Sequence, residues 1–151
     1  MSPLGDSFPD GFKKRFAQTN LKVGSVIKAF VTDTAPPKIK RFIIIGISPD
    51  KLAVGTLYVN SEINPNLFKT EELRNLHLKL QVKGRDYLSH DSFADCSKVY
   101  EKDFDDLISV LEEDASNLLG ELSVEDLKSV KQKIKEARTI TVRIKKKYGL
   151  I

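Results

Sequence analysis

Apolar residues before residue 100 come in short runs rich in valine, isoleucine and phenylalanine, and turn residues separate these runs. Runs of this length and composition are typical of β-strands. We therefore predict strands over residues 25–32, 39–48, 52–61, 76–83 and 92–96. The strand over 76–83 alternates apolar and polar residues, which predicts a solvent-exposed face carrying His77 and Lys79. Gly55 predicts a bulge or a sharp bend within its strand.

Beyond residue 100 the apolar spacing becomes helical. One set of residues recurs at the interval of a single helix face: Phe104, Leu107, Ile108 and Leu111. Ser123 begins a second predicted helix, because Asp126 follows three residues later in the capping-box arrangement. The apolar stripe of this helix continues through the segment "TITVRI" to Tyr148. We therefore predict one continuous helix over this region.

Strands first and helices last predict a mainly β protein of the α+β class. Short strands with turns every ten or so residues favour a small SH3-like, strongly bent antiparallel β-barrel packed by C-terminal α-helices. A chain of 151 residues suits one domain with small appendages. We predict a flexible N-terminal arm over 1–20, a barrel-like domain with helices over 21–137, and a basic C-terminal helical extension over 138–151.

The composition narrows the class of protein. Hydrophobic residues make up 40% of the chain and charged residues 30%, which is typical of soluble globular proteins. A single cysteine excludes an intramolecular disulfide and a cysteine-rich zinc site. No apolar run has the length of a signal peptide core or of a membrane span, so we expect a cytoplasmic protein without membrane contact.

Few side chains are arranged to bind a metal or a cofactor. His77 and His90 lie on different segments, with no second ligand at the spacing of a metal site. The glycines are scattered and form no phosphate-binding loop. We therefore expect neither a metal nor a cofactor.

The basic residues are unevenly distributed over a chain whose net charge is +4. The tail from Arg138 onward carries arginines and lysines but no acid, and Lys38, Lys40 and Arg41 form a second basic cluster. Such clusters indicate either a partner that is a polyanion or a solvated surface.

The segment "YLSHDSFADCS", Tyr87 to Ser97, gathers two aspartates, a histidine, three serines and the only cysteine of the chain within eleven residues. In one interpretation these residues stabilise a turn and the end of a strand, with Cys96 as a small buried apolar residue. In the other, His90 is a general acid or base that shares a face with Ser92. His90 and Cys96 are too far apart along an extended chain to form a catalytic pair.

A second group of candidate residues lies where two predicted strands end. Arg41 opens the strand over 39–48, and Asn60 and Ser61 close the next strand. If these strands pair through the turn "SPDK", a guanidinium, an amide and a hydroxyl meet at one edge of the sheet. Phosphoryl chemistry needs such a set, because a guanidinium holds phosphate oxygens and further donors stabilise developing charge. The alternative is a surface arginine beside a polar strand end.

Several segments resemble the MazF/PemK-type toxins, which are small barrel-like endoribonucleases. The resemblance covers residues 21–137 and rests on the segments "LKVGSVIKAFV", "KRFIIIGIS", "LAVGTLYVNS" and "DSFADCSKVYEKDFDDLISVLEEDASNLLGELSVEDLKSVKQKI". It implies metal-independent cleavage of single-stranded RNA, in which the 2′-hydroxyl attacks the adjacent phosphate. It also implies that the protein forms a homodimer and is silenced by an antitoxin protein.

The resemblance also assigns roles to individual residues. Arg41 matches the arginine that stabilises the transition state, and Ser61 matches the residue that bonds the phosphate. The remaining positions are expected to bind RNA: Lys38, Lys40, Asn60, Lys79 and His90. The chain has Phe42 after Arg41 where the family has proline.

Two other functions fit the same sequence. A non-catalytic nucleic-acid- or protein-binding module on the same barrel needs the basic clusters, but it does not need Arg41 and Ser61 together. A structural component of a phage or regulatory assembly needs neither.

Overall fold

The computed structural model describes residues 10–151, and residues 1–9 of the predicted arm lie outside the described residues. The strands are β1 Ser25–Val31, β2 Lys38–Ile47, β3 Ala53–Asn60, β4 His77–Leu80, β5 Ser92–Asp95, β6 Tyr100–Asp103 and β7 Leu118–Glu121. The helices are α1 Asp10–Asn20, α2 Glu71–Arg74, α3 Phe104–Glu113, α4 Val124–Glu136 and α5 Val142–Lys147. None of these helices is long and apolar enough to cross a membrane.

The strands form one antiparallel sheet that curls into a half-barrel. Its order is β4-β5-β3-β2-β1-β7. The end of β3 pairs with β5, while the start of β3 pairs with β6 along the same edge. Helices pack against this sheet, so the predicted fold class of a bent antiparallel sheet with C-terminal helices is confirmed.

Both faces of the central strands are buried. On β2, Ile43 and Ile45 lie in a core cluster with Val130 and Ile134 of α4. Phe42 and Ile44 point the other way, into a cluster that includes residues of α1 and α3. A strand covered on both faces needs apolar residues at consecutive positions, which explains the run "FIIIGI" in β2.

A bulge in β2 creates a tight contact with the C-terminal segment. Ile44 pairs with Thr56 and Gly46 with Gly55, so Ile45 is the extra residue. The sequence predicts a bulge or bend at Gly55 on β3, but the bulge lies on the paired strand β2, opposite Gly55. A Cβ atom on Gly46 would lie 2.5 Å from the Cβ of Tyr148, and one on Gly55 would lie 3.0 Å from its Cγ. The two glycines thus form a seat for Tyr148, whose hydroxyl donates to Glu101 on β6 at 2.6 Å.

The C-terminal region contains two helices instead of the single helix predicted. α4 ends at Glu136, and Thr141 caps α5 by accepting a hydrogen bond from the amide of Ile144. The β-branched run Thr139–Val142 has a low helix propensity, and a threonine hydroxyl is a favourable cap. Lys145 folds back and donates to the carbonyls of Lys135 and Ala137 at 2.9 and 2.8 Å, which stabilises the end of α4.

The N-terminal region also differs from the predicted loose arm over its described part. α1 has 11 residues, and Ala17 is fully buried against the core cluster that contains α3. At the other end of the chain, Ile140, Tyr148 and Leu150 belong to the same core cluster as Val26. The boundaries predicted at residues 20 and 137 remain predictions.

Asp126 makes a different contact from the one that the capping box predicts. Ser123 accepts a hydrogen bond from the amide of Asp126 at 3.1 Å, as predicted. The carboxylate of Asp126 is bound instead by Arg85, with Nε to Oδ2 at 2.8 Å and Nη2 to Oδ1 at 2.9 Å. This two-point ion pair fixes the loop before β5 on the first turn of α4. The hydrogen bond from Arg85 lowers the pKa of Asp126 below its usual value of 3.8.

We expect Asp126→Asn to lower the free energy of unfolding by about 1–2 kcal/mol, because it removes a charged, two-point hydrogen bond. The lowered pKa of Asp126 means that the pair stabilises the fold fully above pH 3.8 and less as the pH falls through the pKa of the folded state. Urea unfolding at several pH values measures both effects. Glu125→Gln is the matched control, since it removes an exposed acid from the same helical turn. A difference from wild type that persists unchanged well below pH 3.8 would contradict the assignment.

Gly46→Ala is expected to destabilise the fold by about 2–3 kcal/mol, because the new methyl group would overlap the backbone of Tyr148. Gly11→Ala serves as the control, since a Cβ there has no atom within 4 Å. The control should unfold at the same temperature as wild type or slightly higher. Thermal unfolding followed by circular dichroism distinguishes the two variants, and an unchanged midpoint for Gly46→Ala would refute the proposed seat.

Candidate functional site

A groove of about 740 Å³ lies where β2 begins and β3 ends. β2 and β3 pair as an antiparallel hairpin with Arg41 opposite Val59, so the two strand ends meet at one edge, as the hairpin hypothesis requires. The groove is lined by all of the predicted site residues except Lys79: Lys38, Lys40, Arg41, Asn60, Ser61 and His90. Lys79 is exposed on β4, opposite Phe93 of β5.

Arg41 brings unused donors to the groove. Its Nε atom is buried and has no hydrogen-bond partner within residues 10–151. A buried donor without a partner costs free energy. The fold bears this cost at Arg41, because no described residue accepts from its Nε. A bound anion that accepts from Nε would recover this cost.

Lys40 points to the opposite face of β2 from Arg41, because neighbouring residues on a strand alternate. Its ammonium donates to the side-chain carbonyl of Asn60 and lies 5.7 Å from the ring centre of Tyr58. Burial lowers the pKa of Lys40 below its usual value, and repulsion from Lys38 lowers it further. The carboxylate of Asp95 acts in the opposite direction and raises it. Lys40 is therefore a partly desolvated cation that a second negative group would stabilise.

An aromatic pair forms another side of the groove. The rings of Tyr58 and Tyr100 stack with centres 4.0 Å apart and planes within 6° of parallel. Tyr58 donates to Asp33, and Lys102 donates to the same carboxylate at 2.9 Å. Burial alone would raise the pKa of Asp33, but the hydrogen bonds from Tyr58 and Lys102 lower it below its usual value. Burial and Asp33 together raise the pKa of Tyr58, which keeps its hydroxyl protonated.

No pattern in the sequence marks these aromatic and acidic residues as part of the site. Asp33 lies 25 positions from Tyr58 and 69 from Lys102, so no local motif joins them. In the sequence, Asp33 is simply a polar residue shortly before Pro36 and Pro37. The strand pairs β1–β2, β2–β3 and β3–β6 bring the three residues together.

Asp95 and His77 form a buried pair at the floor of the groove. The side chain of His77 has no exposed surface, and its Nε2 lies 3.5 Å from Oδ1 of Asp95, which lines the groove. Ser97 donates to the same oxygen through its amide at 2.9 Å and through its hydroxyl. The alternation in the strand over 76–83 predicted that His77 faces water. This is wrong, because the ring of Phe68 packs against the imidazole at 4.2 Å.

In the segment Tyr87 to Ser97, Cys96 is not paired with a catalytic base, whereas the Ser92 hydroxyl lies next to His90. The thiol of Cys96 is fully buried, which raises its pKa to about 12. The hydroxyl of Ser92 lies 2.9 Å from the carbonyl of His90 and 3.2 Å from its Nδ1. Asp91 accepts from the amide of Val82 at 2.8 Å, so its carboxylate stabilises the strand end. The interpretation as turn and strand-end chemistry fits these contacts, and His90 is left as a residue of the groove.

The described residues contain no cluster of three or more histidine, cysteine, aspartate or glutamate side chains that could hold a metal ion. A scan against protein-family models found no match, and a search of curated proteins found no similar sequence. The resemblance to MazF/PemK-type toxins therefore stays a prediction.

The pKa of Lys40 tests the positions of Lys38 and Asp95 in the groove, because both charges act on it. We expect the ¹³Cε chemical shift of Lys40 to titrate with a pKa below 10.5. Lys38→Met should raise that pKa because it removes a repulsive charge, and Asp95→Asn should lower it because it removes an attractive one. NMR titration of selectively labelled protein measures all three. A lowered pKa of Lys40 in Lys38→Met, or a raised one in Asp95→Asn, would show that these residues are not arranged as described.

Proposed function

We propose that this protein is a metal-independent endoribonuclease that cleaves single-stranded RNA. The observation that carries the proposal is the groove at the ends of two paired strands, which Arg41, with its unpartnered Nε, lines together with Ser61, while Asn60 lines it on the side of Lys40. A guanidinium and neutral donors around one space suit a phosphate that gains charge during a reaction.

The proposed reaction uses the 2′-hydroxyl of RNA as the nucleophile. The hydroxyl loses its proton, its oxygen bonds to the adjacent phosphorus, and the bond from phosphorus to the 5′-oxygen breaks. The leaving oxygen takes up a proton, so the products are a 2′,3′-cyclic phosphate and a 5′-hydroxyl. Arg41 stabilises the charge on the phosphate oxygens, and the Ser61 hydroxyl donates to one of them. His90 lines the same groove and is the residue proposed to carry a proton between the two oxygens.

Lys38 and Lys40 are proposed to hold the phosphates on either side of the cleaved bond. Lys38 is exposed at the start of β2, whereas Lys40 is buried beside Asn60. Lys79 lies outside the groove, so we assign it no contact with the reacting phosphate. The proposal includes the partners that the family resemblance implies, namely a second copy of the chain and an antitoxin protein.

A non-catalytic nucleic-acid-binding module is the second candidate. One observation favours it: no described residue makes a hydrogen bond that would orient the Ser61 hydroxyl, and the side chain of Asn60 is turned toward Lys40, from which its carbonyl oxygen accepts. Catalysis needs preorganised donors, whereas binding to a polyanion needs only the cations.

Incubation with a long single-stranded RNA in EDTA tests the proposal. We expect site-selective cleavage by wild type and a loss of at least about 100-fold in Arg41→Ala, because a preorganised charge at the transition state is removed. Ser61→Ala should lose less. Lys79→Ala is the matched control, since it removes an exposed cation outside the groove, and its rate should stay within about twofold of wild type.

Intact RNA with wild type would refute the nuclease. If the RNA is nevertheless bound, with an affinity that falls steeply with salt, the binding module is the better description. Equal cleavage by wild type and Arg41→Ala would show that the active site does not depend on Arg41 and lies outside this groove.

A further inference from the structure

Four side chains at the ends of β1 and β2 form a surface that continues the groove. Phe30 pairs with Ile39 across the two strands, and Lys28 pairs with Arg41. Paired residues of an antiparallel ladder point to the same face, and so do residues two apart on a strand. Lys28, Phe30, Ile39 and Arg41 therefore lie on one face, which we call the Phe30 surface. Ile39 and Arg41 also line the groove.

The exposure of this surface is unusual for its place in the sheet. Phe30 is 65% exposed and Ile39 is 64% exposed. On the same face of the same strands, Val26 and Ile43 are fully buried with residues of α4 and α5. The covering helices thus stop short of the groove, and two large apolar side chains remain exposed beside a pair of cations.

The Phe30 surface is chemically complementary to a nucleotide. A nucleobase offers a flat apolar face for an aromatic ring, and the phosphate beside it needs a cation. Neither Lys28 nor Arg41 forms an ion pair with a carboxylate in the described part of the chain. Hydrogen bonds from Ser116 lower the pKa of Asp114, and Lys28 is close enough to that carboxyl to help lower it. Lys28 forms no ion pair with it, so both cations can still meet a polyanion that crosses the surface.

A second copy of the chain is a poorer fit to this surface. In a twofold-symmetric dimer centred here, Lys28 and Arg41 would face the same cations of the partner. The two apolar side chains also cover far less than the roughly 800 Å² per partner of a typical stable interface.

We propose that the Phe30 surface is a nucleobase subsite, in which a base next to the cleaved bond stacks on Phe30. Ile39 packs against the base, and Lys28 holds the phosphate that follows it. This inference rests on the proposed function for the position of the RNA. Stacking adds affinity in the ground state and the transition state alike, so the subsite governs KM and the register of the strand and leaves kcat unchanged.

The test compares Phe30→Ala, Phe30→Leu and Phe30→Trp with wild type, and uses Leu52→Ala as the control. Leu52 is 66% exposed, like Phe30, but it lies at the β2–β3 turn and does not line the groove. Kinetics on a short RNA in EDTA give kcat and KM. Fluorescence anisotropy with the same sequence carrying 2′-O-methyl ribose gives Kd without cleavage.

We expect Phe30→Ala and Phe30→Leu to raise KM and Kd by about 5- to 50-fold, with kcat within about twofold of wild type. Phe30→Trp should bind at least as tightly as wild type, and Leu52→Ala should match it. Unchanged KM and Kd in Phe30→Ala overturns the subsite. So does full binding by Phe30→Leu, because an apolar contact without an aromatic ring would then suffice.

Two further outcomes separate the subsite from the nuclease. If wild type does not cleave but Phe30→Ala weakens binding to the 2′-O-methyl RNA, the nuclease fails and the subsite stands. If wild type cleaves and the Phe30 variants match it, the subsite fails and the nuclease stands. Light scattering measures the oligomeric state of wild type and of Phe30→Ala. If wild type is a dimer and Phe30→Ala is a monomer, a second copy of the chain covers Phe30, and the subsite is overturned.

Discussion

The antiparallel pairing of β2 with β3 is the constraint on which the rest of the structure depends. Both strands are buried on both faces, so their register is fixed by the core. A shift by one residue would place Ile43 on the face of Phe42 and would exchange the directions of Arg41 and Lys40. The candidate site at the strand ends therefore takes its geometry from apolar packing in the middle of the hairpin.

The same hairpin also organises the helices. The bulge at Ile45 brings Gly46 opposite Gly55, and the missing side chains admit Tyr148. That contact holds the C-terminal segment over one face of the sheet, next to α4. The segment lies at the bulge end of the hairpin, and the groove lies at the opposite end. There Phe30 and Ile39 are left exposed beside the groove.

The sequence predicts those features that depend on local spacing. β1, β2 and β3 are long β-branched runs, α3 has a clear helical stripe, and the hairpin that joins Arg41 to Ser61 needs only a short turn. β6 and β7 have four residues each and too little pattern to be recognised. The break between α4 and α5 depends on the cap at Thr141, which competes with an apolar stripe that continues through it. Pairing between distant strands decides the remaining contacts, which include the stack of Tyr58 on Tyr100 and the burial of His77 under Phe68.

The groove combines acids with bases, and their pairing decides which charges a ligand meets. Asp33 is neutralised by Lys102 and hydrogen-bonded by Tyr58, while Asp95 is held by Ser97 beside His77. Arg41 and Lys38 have no carboxylate partner within residues 10–151, and neither does Glu62 have a cationic one, so a ligand in the groove meets two unpaired cations and one exposed, unpaired acid. Lys40 is less firmly protonated than an ordinary lysine, because it is buried and lies near Lys38. An entering phosphate would offset both effects, so binding of a polyanion and protonation of Lys40 favour each other.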